Sequence, residues 1–374
     1  MAIDFLILGG GIAGTSAGFF LAERGRVVVL EREDAPGYHS TGRSAALYTE
    51  TYGNAAIRAL TVTSGPFFRD PPAGFADHPL LTARGAMIVA QADENRRFAA
   101  ELAQAQRYAP TVRTLTVTEA IEICPALRRD WLAHALIEPE AMDMDVHAIH
   151  QGYLRGLRAR GGQVVTSAEA QAIEHRHGLW EVTTPAGRFS APILINAAGA
   201  WADVVATLAG VRPVGLVPKR RTAFIVDPPA DGDSRGWPMV IDVGESLYFK
   251  PESGRLLVSP ADETPMPPCD VQPDEIDIAE AADRLEQRTH LKVTRVVRKW
   301  AGLRSFVRDK TPVAGHAPGA SGFVWLAGQG GYGIMTSPAM GRVATALATG
   351  DDLPADLVDQ GLVAADLLPD RLFD

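Results

Sequence analysis

Gly9, Gly11 and Gly14 follow the G-x-G-x-x-G spacing directly after the apolar run Ile3 to Leu8, a spacing suited to holding a pyrophosphate. Gly9 permits the tight turn, Gly11 lets backbone approach the phosphates, and Gly14 lets the next helix lie close on the strand. A helix from Ile12 to Arg24 would aim its unpaired N–H groups and its positive end at the same point. Val27 to Leu30 reads as a second strand. Glu31, at the carboxyl end of that strand, can accept both hydroxyls of an adenosine ribose and would repel a ribose phosphate. Strand, glycines, helix, strand and acid occur in register, which points to a dinucleotide. These residues alone leave FAD and NAD both open.

Other parts of the chain offer similar surfaces. The stretch from Pro36 to Glu50 is long, irregular and rich in small residues; Ser40, Thr41, Gly42, Ser44, Ala45 and Ala46 would let a flat ring or a phosphate approach the backbone. An apolar strand from Ala191 to Asn196 runs into the small-residue turn Ala197 to Trp201. Another, Phe323 to Ala327, runs into the glycine-rich turn Gly328 to Gly333 and a helix from Ser337 to Thr349. A chain that opens and closes on strand, glycine turn and helix builds one ligand site from both ends, so its domains must interleave.

The intervening segments follow a different pattern. Thr82 to Ala90 reads as a strand, Asp93 to Tyr108 as an amphipathic helix with Phe98, Leu102 and Ala103 on one face, and Thr116 to Glu119 as a capping box. Asp145 can cap a helix striped by Val146, Ile149, Tyr153, Leu154 and Leu157. Arg221 to Val226, Met239 to Val243, Ser246 to Lys250 and Arg255 to Val258 read as an antiparallel sheet. The expected fold is of the α/β class: a Rossmann-like dinucleotide-binding domain (1–78, 143–212 and 299–374) interleaved with an α+β substrate domain (79–142 and 213–298) built on a largely antiparallel sheet.

Composition narrows the partners. The chain has 374 residues and a net charge of −9, and its one dense basic cluster is Lys219-Arg220-Arg221, which argues against a nucleic-acid surface and for a small-molecule substrate. Cys124 and Cys269 have no metal-type or disulfide-type spacing. His147 and His150 lie three apart on a helix, with no carboxylate or cysteine spaced to match, and read as surface residues; His175 and His177 read as a hairpin turn. No metal is expected. The first apolar run is broken by glycines well short of the roughly 20 residues of a spanning helix, and no basic leader precedes it. The expectation is no transmembrane segment and a location in the cytoplasm or peripheral to the inner membrane.

Taken together, the opening β-α-β unit, GYHSTGRSAA, NAAGAW, PKRR, WAGLRSFV and QGGYGI resemble the FAD-dependent D-amino-acid oxidase superfamily of amine oxidoreductases, and within it the bacterial D-arginine dehydrogenases. The likeness runs from end to end and implies FAD, held without a covalent bond. It implies cofactor contacts from Gly9, Gly11, Ile12, Ala13 and Gly14, from Glu31 and Arg32, and from Thr41, Gly42, Arg43, Ser44, Ala45 and Ala46. Ala198, Gly199 and Trp201, and then Gly330, Gly331, Tyr332, Gly333 and Ile334, complete that set. It also implies that Arg221 and Arg304 clamp a substrate carboxylate, helped by Tyr52 and Tyr248, with the backbone carbonyls of Gly302 and Gly331 near the amine. A planar guanidinium fork suits that task because it grips a carboxylate through two parallel hydrogen bonds. The implied reaction is hydride transfer from an amino acid to flavin N5, giving an imino acid that hydrolyses to a 2-keto acid and ammonia, with oxygen or a quinone as the final electron acceptor.

Three positions depart from the D-arginine dehydrogenase pattern. Ala86 stands where it has Glu, Leu47 where it has His and Met335 where it has Gln. All three exchange polar for apolar and are expected to line the side-chain pocket, pointing to a D-amino acid with an uncharged, apolar side chain. A secondary amine, N-methyl or cyclic, is the near alternative on the same fold. A pyridine-nucleotide dehydrogenase or a non-catalytic flavin-binding protein is the alternative of another class.

Overall fold

Phe5–Leu8 is apolar and buried throughout, with parallel partners on both sides: Val27–Leu30 and Ile193–Asn196. Such continuous apolar runs belong in a parallel sheet covered on both faces. The computed structural model describes residues 2–228 and 233–373; residues 1, 229–232 and 374, which the expected domain ranges include, lie outside the described residues. The parallel sheet has six strands, in the order Val313–His316, Phe323–Ala327, Ile193–Asn196, Phe5–Leu8, Val27–Leu30, Gln163–Val165. Only the Val313–His316 edge runs antiparallel. On one face Ala17, Leu21, Leu157, Met340 and Val343, carried by helices, close a core against Ile7 and Val29. A three-stranded sheet covers the other face through Trp180 and Val182.

The second large sheet has nine strands and gives the site its floor. Its path runs Thr264–Pro265, Val217–Val226, Arg255–Ser259, Tyr248–Glu252, Met239–Asp242, Ala86–Ala90, His134–Glu138, Arg113–Leu115, and Val296–Phe306 also pairs with Val217–Val226. All its pairings are antiparallel except that of Met239–Asp242 with Ala86–Ala90. Alternate residues divide between two surfaces, as strand geometry requires. Met87, Val89, Phe224, Val240, Phe249 and Val258 enter a core shared with Ile278 and Leu285 of the Glu275–Arg288 helix. Of the residues between them, Ala223, Ile225 and Leu257 form a separate cluster with Ala45, Tyr248 and Trp300, while Ile88 packs with Phe98 and Ala105.

Two sequence expectations change. Thr82 to Ala90 is not one strand: Gly85 has a positive φ of 77°, a conformation open to glycine, and it turns the chain. Leu81–Ala83 therefore joins a small sheet with Leu47–Tyr48 and Met142–Met144, while Ala86–Ala90 enters the large one. The helix that packs beside it, Asn95–Tyr108, buries Phe98 and Ala105; Ala103 is exposed because it falls on the opposite side of the helical wheel. The expected boundary at 299 falls inside Val296–Phe306, a strand paired along its length with Val217–Val226. We therefore propose that the substrate half extends to Phe306.

That same strand holds the 40–46 loop in place. Ser40 Oγ donates to the Leu303 carbonyl at 2.6 Å, Trp300 Nε1 donates to the Arg43 carbonyl at 2.9 Å, and Arg43 Nη1 donates to the Ala301 and Val271 carbonyls, both at 3.1 Å. A hydrogen bond of this kind contributes about 0.5–1.5 kcal/mol net. Ser40→Ala and Trp300→Phe are each expected to lower the urea midpoint by that equivalent without changing the slope of the transition. Midpoints equal to wild type would mean that these bonds do not anchor the loop.

Candidate active site

Two cavities, of about 320 and about 160 Å³, meet at a wall they share: Gly11, Ser40, Thr41, Ala197, Gly199 and Ala200. The smaller is lined by Glu31, Arg32, Ala198 and Trp201, and the larger by Ile12, Ala13 and the residues from Arg43 to Ala46. A bipartite molecule could run through the junction with one half in each.

At the junction, Thr41 Oγ1 accepts a hydrogen bond from Ile12 N at 3.0 Å, which ties the small-residue loop to the first turn of the helix. Glu31 is buried and already bonded. One oxygen accepts from Gly10 N at 2.8 Å and the other from Glu33 N at 2.9 Å. Burial pushes its carboxyl up, and the two N–H groups partly offset this. Arg32 lies over the Trp201 ring at 4.7 Å and pairs with Glu169 at 3.2 Å.

Not every expected contact lies on a cavity wall. Gly14 packs the helix onto the preceding turn, where a Cβ would collide with the Gly9 carbonyl. Gly42 donates to the Gly37 carbonyl and shapes the loop from behind. Tyr332 is buried behind the wall with its ring 5.0 Å from that of Tyr52, while Gly330, Gly331, Gly333 and Ile334 do line the larger cavity. The Arg43 side chain turns away to pair with Asp270, leaving its backbone to face inward.

The sequence reads both His147 and His150 as surface residues, and for His150 the structure departs from this. It is 4% exposed, and its Nε2 lies 2.9 Å from the Gly10 carbonyl, so it braces the glycine turn. Burial holds its ring below the ordinary histidine range, which favours the neutral form. A histidine on the apolar stripe beside Ile149 and Tyr153 is the signal the sequence offers. His147 is exposed as read.

The far wall of the larger cavity comes from the nine-stranded sheet. Antiparallel register sets Arg221 opposite Gly302 and Lys219 opposite Arg304, so Arg221 and Arg304 project from one face as diagonal neighbours. Both line the cavity, with Gly302, Tyr52, Tyr248 and Gly331. Arg304 Nη2 donates to Tyr52 Oη at 2.9 Å. Its Nη1 is buried without a hydrogen-bond partner; Glu263 Oε1, at 3.5 Å, is an ionic neighbour and no more. Burial works against the charge of Arg304, but the oxygens of Tyr52, Tyr332 and Tyr248 outweigh it, so the group holds its proton above the ordinary arginine range.

Glu263 is a residue that sequence reading missed. It pairs with Lys219 at 2.9 Å and stands 3.4 Å from Arg221, and these cations overcome its burial to hold its carboxyl below the usual range. One carboxylate thus faces three cations, Lys219, Arg221 and Arg304, and the excess positive charge suits a second carboxylate.

The remaining wall is apolar. Leu47, Ala86 and Met335 all line the larger cavity, with Met239 and Ile241 beside them. Glu138, opposite Ala86 on the neighbouring strand, also lines it, but its oxygens accept from Thr49, Thr51 and the Glu50 N–H at 2.7, 2.7 and 3.2 Å. Its carboxylate is committed to the loop that carries Tyr52. The described residues contain no group of His, Cys, Asp and Glu arranged to hold a metal.

Comparison with known proteins decides which dinucleotide is meant. The family described as DAO, FAD dependent oxidoreductase, matches residues 4–347. The chain belongs to the FAD dependent oxidoreductase family. A curated relative in that family, the mitochondrial dimethylglycine dehydrogenase of Mus musculus, is 24% identical over 95% of this chain and 43% of its own length. The chain thus spans less than half of it. Glycine oxidase of Geobacillus kaustophilus is 24% identical over 98% of this chain and 95% of its own. Among solved structures, L-proline dehydrogenase from P. horikoshii has a TM-score of 0.82 at 22% identity, covering 98% of this chain and 99% of that one. Glycine oxidase from Geobacillus kaustophilus reaches 0.79 at 22%, covering 93% and 95%. At these identities the likeness establishes the fold. FAD fits the paired cavities, because a Cβ on Gly11 would enter their junction with only Thr41 Oγ1 near it, at 3.2 Å.

Gly11→Val adds methyl groups at that junction, where a pyrophosphate is expected to lie. The purified variant is expected to be colourless while its far-ultraviolet circular dichroism matches wild type. A yellow, stoichiometrically loaded variant would contradict this placement.

Proposed function

We propose that the chain catalyses FAD-dependent oxidative deamination of a D-amino acid with an uncharged, apolar side chain, yielding a 2-keto acid and ammonia. The observation that carries this reading is the buried, unpartnered Nη1 of Arg304 on the same sheet face as Arg221. Arg304 and Arg221 bind the substrate carboxylate, with Tyr52 Oη held in place by Arg304 and Tyr248 adding its hydroxyl. The carbonyls of Gly302 and Gly331 accept the amine N–H groups and turn the α-carbon toward the neighbouring chamber. FAD, when bound, supplies the hydride acceptor, and the protein's share is orientation and placement of charge. The apolar wall of Leu47, Ala86 and Met335 excludes water and receives the side chain. We also propose that FAD is held non-covalently: His39, the histidine nearest the motifs in the sequence, is tied to Glu33 at 2.8 Å, with its ring tilted against that of Trp201 at 4.6 Å, on the side of the smaller cavity. Acid precipitation is expected to release the yellow colour into the supernatant; colour kept in the pellet would overturn this.

A second reading keeps the site and takes a secondary amine. It is favoured by a relative named for a secondary amine, sarcosine dehydrogenase, and by one named for an N-methylated tertiary amine, dimethylglycine dehydrogenase. Each substrate, tried as its D form, its L form and its N-methyl derivative with an artificial electron acceptor, separates the two. Turnover confined to D-amino acids supports the first reading, and turnover confined to N-methyl or cyclic substrates supports the second. Running the panel with and without oxygen distinguishes an oxidase from an enzyme that passes electrons to a quinone. Among the described residues no helix is long and apolar enough to cross a membrane.

Arg304→Ala is expected to cut kcat/KM by at least about a hundredfold without loss of flavin, since removing one member of a desolvated charge pair costs about 3–5 kcal/mol and each 1.4 is tenfold. Arg304→Lys should recover little, because a point charge cannot reproduce the fork. Near-native turnover by the Ala variant would remove Arg304 from the site. At the other end, a guanidinium beside Ala86 and Met335 meets only Glu138, whose oxygens are committed to Thr49, Thr51 and the Glu50 N–H, so D-Leu, D-Met or D-Phe should exceed D-Arg by about a hundredfold or more in kcat/KM. Ala86→Glu should narrow that gap. If D-Arg proves the best native substrate, or the Glu variant gains nothing on it, the pocket assignment fails.

A further inference from the structure

Tyr52 stands on a segment with little backbone support of its own. Before it, Leu47–Tyr48 is laddered to Met142–Met144. After it, the helix Ala55–Arg69 starts at Asn54, whose Oδ1 accepts from Ile57 N at 3.1 Å and whose Nδ2 donates to Thr311 Oγ1 at 2.8 Å. Between these anchors, among the described residues, positions 49–53 make no backbone-to-backbone hydrogen bond. Side chains hold them instead. Arg58 Nε donates to the Thr51 carbonyl at 2.9 Å. Glu138 takes three bonds: from Thr49 Oγ1 and Thr51 Oγ1 on one oxygen, both at 2.7 Å, and from Glu50 N on the other at 3.2 Å.

Glu138 projects from the His134–Glu138 strand of the nine-stranded sheet and is 5% exposed. Burial pushes its carboxyl up, and the donors of Thr51, Thr49 and Glu50 partly offset this. A buried carboxylate is costly unless it is hydrogen-bonded, and all three of its hydrogen bonds come from residues 49–51. The segment before Tyr52 is therefore tied to the same sheet that carries Arg221 and Arg304. Arg304 fixes the other end of Tyr52 by donating from Nη2 to its Oη at 2.9 Å. Glu138, Thr49, Thr51, Tyr52 and Arg304 all line the larger cavity.

We infer that Glu138 is a positioning residue for the carboxylate end of the site: its bonds to residues 49–51 place the Tyr52 hydroxyl where it and Arg304 meet a substrate carboxylate. This rests on the carboxylate clamp of the proposed function and adds the group that aligns it. Glu138 acts through Tyr52, so its effect belongs to ligands that carry a carboxylate.

The test uses two halves of leucine on the FAD-loaded protein, read through the perturbed spectrum of the bound flavin: 4-methylpentanoate, which lacks the amine, and 3-methylbutylamine, which lacks the carboxylate. The two share the leucine side chain, so a change in the apolar wall moves both. Thr49→Val with Thr51→Val keeps the Glu138 charge and removes two of its three bonds. This pair should weaken the acid by about tenfold, the equivalent of a hydrogen bond to a charged group. It should leave the amine within about twofold and, in a Tyr52→Phe background, add no more than about twofold to the loss that Tyr52→Phe causes alone. Thr49→Ser with Thr51→Ser, which keeps both hydroxyls, should bind the acid as wild type does. Glu138→Gln should also weaken the acid. Neutralising Glu138 would by charge alone favour a carboxylate, so a loss there identifies geometry. In turnover the Val pair should raise KM for D-leucine more than it lowers kcat, as loss of binding common to ground and transition states does.

Equal weakening of acid and amine by the Val pair, as a merely structural role would give, overturns the inference. So does full additivity with Tyr52→Phe, or acid affinity that neither the Val pair nor Glu138→Gln lowers. Loss of acid binding coupled to Tyr52, with no oxidation of D-leucine by wild type, would keep the inference and overturn the proposed reaction. Oxidation of D-leucine with an unchanged KM in the Val pair would keep the reaction and overturn the inference. A wild type that binds the acid no better than the amine would overturn the clamp and the inference with it.

Discussion

The antiparallel register between Val217–Val226 and Val296–Phe306 is the constraint on which the rest depends. It puts Arg221, Lys219, Gly302 and Arg304 on one face, and because strand side chains alternate, a one-residue slip of either strand would send its arginine to the other side of the sheet, away from the other. The same strand donates or accepts the bonds that hold the 40–46 loop against it. The dinucleotide half and the substrate half are therefore aligned by one ladder, and a shift at either end would be felt at the junction.

The charge arrangement around that ladder is unbalanced. Arg304 is only 12% exposed, its Nη1 has no hydrogen bond, and the nearby carboxylate of Glu263 is shared with Lys219 and Arg221. Leaving a buried charged donor unsatisfied costs more than leaving it in water. In the proposed function a substrate carboxylate would restore the balance, with part of the binding free energy already stored in the protein before substrate arrives.

Much of the cofactor half is legible in the sequence because its signals are local. The G-x-G-x-x-G spacing, the strand before it and Glu31 after it all lie within one β-α-β unit, and the β-rich runs after Val214 outline the second sheet. The charge partners are not legible. Glu263 and His150 act on residues far away along the polypeptide, and their roles follow from register and helix packing that one sequence does not record. The buried face of the Asn95–Tyr108 helix is misplaced at Ala103 because Leu102-Ala103 and Leu102-Ala105 suit an apolar stripe almost equally. Tyr248, Ile241, Ile88 and Leu136, which face one another across four strands of the large sheet and line the larger cavity, include one from the His134–Glu138 strand that composition does not reveal.

The central claim is that the sheet face positions its substrate through the carboxylate. Anaerobic addition of D-methionine to the flavin-loaded protein, beside the matching amine that lacks the carboxylate, tests it directly through bleaching of the visible flavin band. The account expects rapid bleaching by the amino acid and slower bleaching by the amine, by at least about a hundredfold, in line with the loss of a desolvated arginine–carboxylate contact. Equal rates for the two would show that the arginine pair does not hold the substrate, and would contradict the account.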